Sequence, residues 1–100
     1  MKNFRTYNLA IDFYNKIQAL KLKGHLMDQL LRAASSIALN LAEGRGRETP
    51  KDQKRFFTIA LGSLRECQAV FDLGGLRNTP EWSLLDQLAA HLYCLIRKAG

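Results

Sequence analysis

Residues 26–47 constrain the fold more than any other stretch, because their apolar positions recur at the period of an α-helix. Leu26, Leu30, Ala34, Ile37 and Leu41 fall on one side of a helical wheel. Met27, Leu31, Ala38 and Ala42 widen that side toward half the circumference, and Asp28, Arg32, Ser36 and Glu43 occupy the other. So broad an apolar face exceeds what a helix lying on a surface needs. Leu39 sits in the polar sector. It is either a scattered exposed leucine or a contact with another subunit.

The stretch ends in Gly44-Arg45-Gly46-Arg47. Gly44 suits the left-handed position that closes many helices, and Gly46 gives the following residues the same freedom. Glu43 lies beside the negative end of the helix dipole, a placement costing ~0.3–1 kcal/mol, and Arg45, Arg47 or Arg55 is available to offset it. The loop has two readings. Two arginines on a flexible backbone with free amides hold a phosphate, or they form a solvated turn with a helix-terminal salt bridge. A nucleotide-binding P-loop is excluded, since GxxxxGK[ST] is absent, and the GxG follows a helix rather than the strand of a dinucleotide site.

Three more segments read as helices, giving spans of about 4–22, 26–43, 50–73 and 80–98 in a single domain over residues 1–100. Thr49-Pro50 and Thr79-Pro80 each place an N-cap threonine before a proline at the first helical position, with Asp52 and Glu81 in the first turns. The third helix repeats Phe57, Ala60, Leu64, Cys67 and Phe71 at alternating steps of three and four, the spacing of a bundle seam, with Phe56, Ile59 and Val70 broadening it. Gly62 lies mid-helix at a cost of ~1 kcal/mol against alanine, which close approach by another backbone would offset. Leu85, Leu88, Leu92, Leu95 and Ile96 form the core face of the fourth helix. Short connections make neighbouring helices antiparallel, so the expected fold is all-α, an up-down-up-down four-helix bundle.

The first helix carries two apolar stripes. Leu9, Phe13, Ile17 and Leu20 form one; Phe4, Tyr7, Ile11, Tyr14 and Leu22 form the other. One bundle core covers one stripe. The second is either the rim of a deeply seated helix or, as favoured here, a subunit interface made by Phe4, Tyr7, Ile11 and Tyr14 together with Leu39.

The formal net charge of +6 points to an acidic partner such as RNA, DNA or an anionic protein surface. Candidate nucleic-acid contacts are Arg32, Arg45, Arg47, Lys51, Lys54, Arg55 and Arg65. Arg55, Gly62 and Glu66 share one flank of the third helix; Lys54, Thr58 and Arg65 share the other. Each flank either faces nucleic acid or is simply solvated. Cys67 and Cys94 have no CxxC or zinc-ligand spacing, so a buried thiol is expected, with a disulfide as the lesser alternative, and no metal or cofactor is implied. No Ser/His/Asp set, ExxH pair or inward carboxylate pair suggests catalysis, and the expectation is a non-enzyme. No signal peptide and no apolar run of the ~18–20 residues that span a membrane are visible, so a cytoplasmic protein without a membrane partner is expected.

RAASSIALNLAEGRGR, followed by KRFFTIALGSLRE, resembles the bacterial four-helix-bundle proteins encoded in intervening sequences of large-subunit ribosomal RNA genes. That family is in turn similar to the accessory variability proteins of diversity-generating retroelements. The resemblance is densest from Leu30 to Glu66. It places motif positions at Asn40, Glu43, Gly44, Gly46 and Arg47, and at Phe56, Gly62, Ser63 and Glu66. The family pattern commonly has an aromatic or aliphatic residue where Arg45 stands and a proline near Ala38. The resemblance implies ring-forming bundles, usually homopentamers, with a basic surface, and nucleic acid and a reverse transcriptase as partners of the retroelement proteins. The motif marks either folding and assembly or a ligand site. The expected function is a non-enzymatic homo-oligomer that binds RNA or DNA; the alternative is an assembly scaffold for a protein partner without direct nucleic-acid contact.

Overall fold

The described residues form four α-helices: α1 (Arg5–Ile17), α2 (Gly24–Arg45), α3 (Pro50–Gly74) and α4 (Pro80–Ala99). A computed structural model describes residues 4–99, and among them there is no strand. Both prolines begin helices for the reason their threonines suggest. Thr49 is extended (φ −107°, ψ 146°) and its Oγ1 accepts from the Asp52 amide at 3.2 Å. Thr79 Oγ1 accepts from the Trp82 amide at 3.3 Å. The Thr49 hydroxyl satisfies an amide of the first helical turn, and the Trp82 amide is shared between the Thr79 hydroxyl and the Thr79 carbonyl at 3.2 Å. α3 closes on Gly75 at φ 67°, where a side chain would be strained.

The helices form an all-α four-helix bundle in which α2 packs on α1 and α3, and α4 on α3 and α1. Gly44, near the end of α2, lies on Phe57, near the start of α3, while Gly74 at the end of α3 meets Leu22 just before α2. The Phe71 ring of α3 packs tilted against the Trp82 ring of α4, with centroids 5.8 Å apart. Phe4, before α1, shares a cavity with Leu95 and Lys98 of α4. One end of the bundle therefore gathers the start of α1, the end of α2, the start of α3 and the end of α4.

The core follows the helical periodicity. All of Phe57, Ala60, Leu64, Cys67 and Phe71 are buried, as are Leu30, Ala34, Ile37 and Leu41 of α2 and Leu85, Leu88 and Leu92 of α4. Leu95 and Ile96 are half-buried against this core. Ile59 does not broaden the seam: it is 45% exposed.

α1 departs from expectation. It stops at Ile17 rather than near residue 22, and the Ala19 and Leu20 amides turn back onto the Lys16 and Ile17 carbonyls at 3.3 and 3.0 Å. Leu20 and Leu22 would be ~200° apart on a helix, so only one of them would face the core. Leaving the helix lets both pack half-buried against it. The buried face of α1 is Thr6, Ala10, Phe13 and Ile17, with Leu9 at its edge. Phe4 precedes the helix, so its ring turns inward onto Tyr7 and Phe57 and is 3% exposed. It is not an outward interface residue. The second stripe shrinks to Tyr7, Ile11 and Tyr14.

The two motif glycines also change meaning. α2 continues through Gly44 to Arg45, and Gly44 has no left-handed backbone. It is buried, and a Cβ there would stand 2.6 and 2.9 Å from the Phe57 ring and 3.1 Å from Phe56 Cβ. Glycine is required here by close approach of α3. Gly62 is the reverse: no backbone approaches it, and a Cβ would meet nothing within 4 Å.

Gly44→Ala should lower stability by up to about 2 kcal/mol, since overpacking a core costs ~1–3 kcal/mol against a gain of ~1 kcal/mol in helix propensity. Gly46→Ala, whose Cβ would find its nearest atom at 3.7 Å, should stay within about 0.5 kcal/mol of the parent. Urea unfolding of the two variants checks both.

Candidate nucleic-acid interface

The charge of the chain is unevenly placed. The end that gathers the start of α1, the end of α2, the start of α3 and the end of α4 carries Arg5, Arg45, Arg47, Lys51, Lys54, Arg55, Arg97 and Lys98. Only Glu43, Glu48 and Asp52 oppose them there. Over the remaining described residues the signs balance: Lys16, Lys21, Lys23, Arg32, Arg65 and Arg77 face Asp12, Asp28, Glu66, Asp72, Glu81 and Asp86. Several of these are already paired. Lys16 bonds Asp12 at 3.3 Å. Arg77 bonds Asp72 and holds that carboxyl below the usual carboxylate range, mainly by donating a hydrogen bond. Nearly all the excess positive charge thus sits at one end of the bundle.

The expected residues divide along this line. Arg45, Arg47, Lys51, Lys54 and Arg55 lie at the basic end. Arg32 lies thirteen residues before Arg45, roughly 20 Å away along α2 at 1.5 Å per residue. Arg65 reaches α4 and donates to the Tyr93 hydroxyl at 2.6 Å. The structure does not bring these two into the cluster. The sequence alone does not place Arg5 in this cluster, since only the bundle brings the start of α1 beside the end of α2.

The Gly44–Arg47 loop is not a phosphate cradle. The Gly46 amide already bonds the Ala42 and Glu43 carbonyls at 3.3 and 3.2 Å, and the Arg47 amide bonds Gly44 O at 3.2 Å. The Arg47 carbonyl accepts from Gln53 Nε2 at 2.9 Å. The two arginines diverge. Arg45 lies over the Phe4 ring at 4.8 Å from its centroid. Arg47 pairs with Glu43 at 2.9 Å and lies 4.7 Å from the Phe56 ring centroid. Arg55 approaches the same ring at 4.7 Å. The helix-terminal salt bridge is the arrangement found, and its cation is Arg47. Beside it, Arg45, Phe4, Gln53, Phe57, Leu95, Lys98 and Ala99 line an open cavity of about 280 Å³.

Further along α2, Ser36 Oγ accepts from Asn40 Nδ2 at 3.1 Å and from Ser63 Oγ of α3 at 2.8 Å. Asn40 Nδ2 also donates to the Ser36 carbonyl at 2.9 Å. This half-buried polar set ties α2 to α3. Asn40 and Ser63 thus act in packing, as do Gly44 and Phe56. Glu66 is exposed and has no ion-pair partner among the described residues.

A model of the family described as 23S rRNA-intervening sequence protein matches residues 2–98. The chain belongs to that family. No curated protein and no solved structure matches it.

In this member of the intervening-sequence family, the second apolar feature is a shallow groove between α1 and α2. Tyr7, Ile11, Tyr14, Ser35, Ala38 and Leu39 enclose about 200 Å³, and Leu39 at its lip is 69% exposed. Tyr7 and Tyr14 are half-buried. Among the described residues no helix is long and apolar enough to cross a membrane. No cluster of three or more His, Cys, Asp or Glu there is placed to hold a metal ion.

The two thiols are free, Cys67 buried and Cys94 exposed. Burial, and then the nearby Glu66 carboxylate, push the Cys67 thiol up from 9.0 to about 12. An unfolded chain would ionise this thiol first, so the stability it contributes is complete below pH 9 and falls as pH rises from 9 toward about 12. The slope for one group is about 1.4 kcal/mol per pH unit. Urea midpoints between pH 8 and 10.5 should fall more steeply for the parent than for Cys67→Ala. A disulfide reagent at pH 8 should label Cys94 and leave Cys67 protected until the protein is unfolded.

Proposed function

We propose that this chain is a non-enzymatic, cytoplasmic homo-oligomer that binds RNA or DNA through its basic end. The observation that supports the reading most is the polarity of charge: eight basic against three acidic side chains at one end, and balance elsewhere. A polyanion gains most from such an arrangement, because each phosphate neutralised releases a condensed counterion. Lys51, Lys54 and Arg55 are exposed on the first turns of α3, and Arg47 and Arg55 hold their guanidinium groups against Phe56 rather than moving freely. Less side-chain freedom is then lost on binding. The family's tie to 23S rRNA agrees with an RNA partner.

Binding should be salt-sensitive and weakly dependent on sequence, with log K falling by ~0.7–0.9 per phosphate contacted for each tenfold rise in salt. In an anisotropy titration against an rRNA fragment, a DNA duplex and an RNA–DNA duplex, Lys51→Ala/Lys54→Ala should flatten the slope by about 1–2. Arg32→Ala should leave it unchanged. No salt-dependent affinity for any of the three would remove the proposal.

The groove between α1 and α2 supports self-association. Ile11 and Leu39 expose apolar area there that the chain's own core does not cover. A homopentameric ring, as the resemblance implies, would bury it between neighbours. Ile11→Asp/Leu39→Asp should lower the native mass while leaving helix content unchanged, as read by native mass spectrometry and circular dichroism. A second reading rests on the same 69% exposure of Leu39: a protein partner, such as a reverse transcriptase, seated in the groove. Capture of that partner after thorough nuclease treatment, with the native mass unmoved by the groove substitutions, would favour it.

A further inference from the structure

The outer face of α3 has a seam of its own. Arg55, Ile59, Gly62, Glu66, Ala69 and Leu73 follow one another at steps of four and three, opposite the buried seam of Phe57 to Phe71. All six are exposed, Leu73 at 73% and Ile59 at 45%. A helix face that meets only water is normally polar, whereas four of these six positions are apolar or glycine. Gly62 weakens the helix and nothing inside the chain calls for it, since a Cβ would meet nothing within 4 Å. Arg55 and Glu66 have no ion-pair partners among the described residues. Lying eleven residues apart, roughly 16 Å along the axis, they cannot reach each other within one chain.

We propose that this face docks on the same face of a second copy, with the two α3 helices running in opposite directions about a two-fold axis between Ala60 and Leu61. In that register Arg55 meets the second copy's Glu66, and Glu66 meets its Arg55. Ile59 of each chain sits over Gly62 of the other, filling the space that glycine leaves open. A two-fold contact is self-complementary in this sense: residue i meets j and j meets i. A parallel pairing would set Arg55 against Arg55 and Glu66 against Glu66. Sliding the helices by seven residues would set Arg55 against Leu73 or Ile59. The charges select one orientation and one register. The contact shares no residue with the α1–α2 groove; Arg55 is the one residue it has in common with the basic end, and the contact forms without nucleic acid.

The test is the native mass of the full chain without nucleic acid, for the parent, Arg55→Glu, Glu66→Arg, the double exchange, and Gly62→Leu. Each single reversal should halve the mass, whether the parent is a simple dimer or two rings joined. The double exchange should restore it, because the pair is re-formed with its signs swapped. Gly62→Leu should also halve the mass, although leucine favours the helix and would stabilise a free surface. Circular dichroism should show unchanged helix content throughout. A parent that is monomeric, single reversals that keep the parent mass, or a double exchange that stays at half would each overturn the proposal.

Discussion

The bundle depends on how closely α2 and α3 approach. Gly44 lets the Phe57 ring lie directly on the α2 backbone, and the Ser36–Ser63 hydrogen bond at 2.8 Å joins the same two helices further along. These contacts set both the distance and the register of the pair. A side chain at position 44 would hold the helices apart, and the polar set around Ser36 would lose its geometry with them. The cost of leaving such half-buried polar groups unmatched is larger than the gain from making them. The seam therefore specifies one register among those that apolar packing alone would tolerate.

The same seam positions the charge. With Gly44 under Phe57, Phe56 falls beside the last turn of α2, where Arg47 and Arg55 both lie against its ring. Arg45, two residues from Arg47, turns to Phe4 on the other side of α2. The end of α2 thus spreads its cations to two flanks. α1 and α4 add theirs because the bundle closes on itself at that end. A basic end built on packed aromatic rings resists the repulsion among like charges, since each guanidinium gains an attraction to a ring face. The family's motif residues here serve the packing that holds the cations in place.

Much of this was legible in the sequence because it is local. The seam of α3 and the caps at Thr49 and Thr79 depend on spacing and on neighbours within one turn. The end of α1 was not legible, because no glycine or proline marks it. It is decided by Leu20 and Leu22 both reaching a core that only the assembled bundle presents. Phe4 misled for a related reason: a wheel assumes helical geometry at a residue that lies before the helix. For the candidate site, the loop arginines and the start of α3 were visible as a cluster in sequence. Arg32 and Arg65 were grouped with them by charge alone, and helix length separates them. Arg5 joins only through the chain's return to the same end.

Gly44 reads in the sequence as a helix-closing glycine and Gly62 as a mid-helix one; the structure makes both helical and separates them by what surrounds them. A glycine in a helix interior has a price of ~1 kcal/mol, which some close contact normally offsets. Gly44 has that contact inside its own chain, from Phe57 at a distance no Cβ would tolerate. Gly62 has none, and it stands on a face where Ile59 is exposed and where Arg55 and Glu66 lack ion-pair partners among the described residues. The cost at Gly62 and the exposed apolar area at Ile59 have opposite remedies on a free surface, a larger residue at one and a polar residue at the other. A single remedy serves both when a second surface of matching shape lies against the helix. On the proposed pairing the two glycines would mark two scales of one organisation: the first admits a helix of the same chain, the second would admit a helix of another.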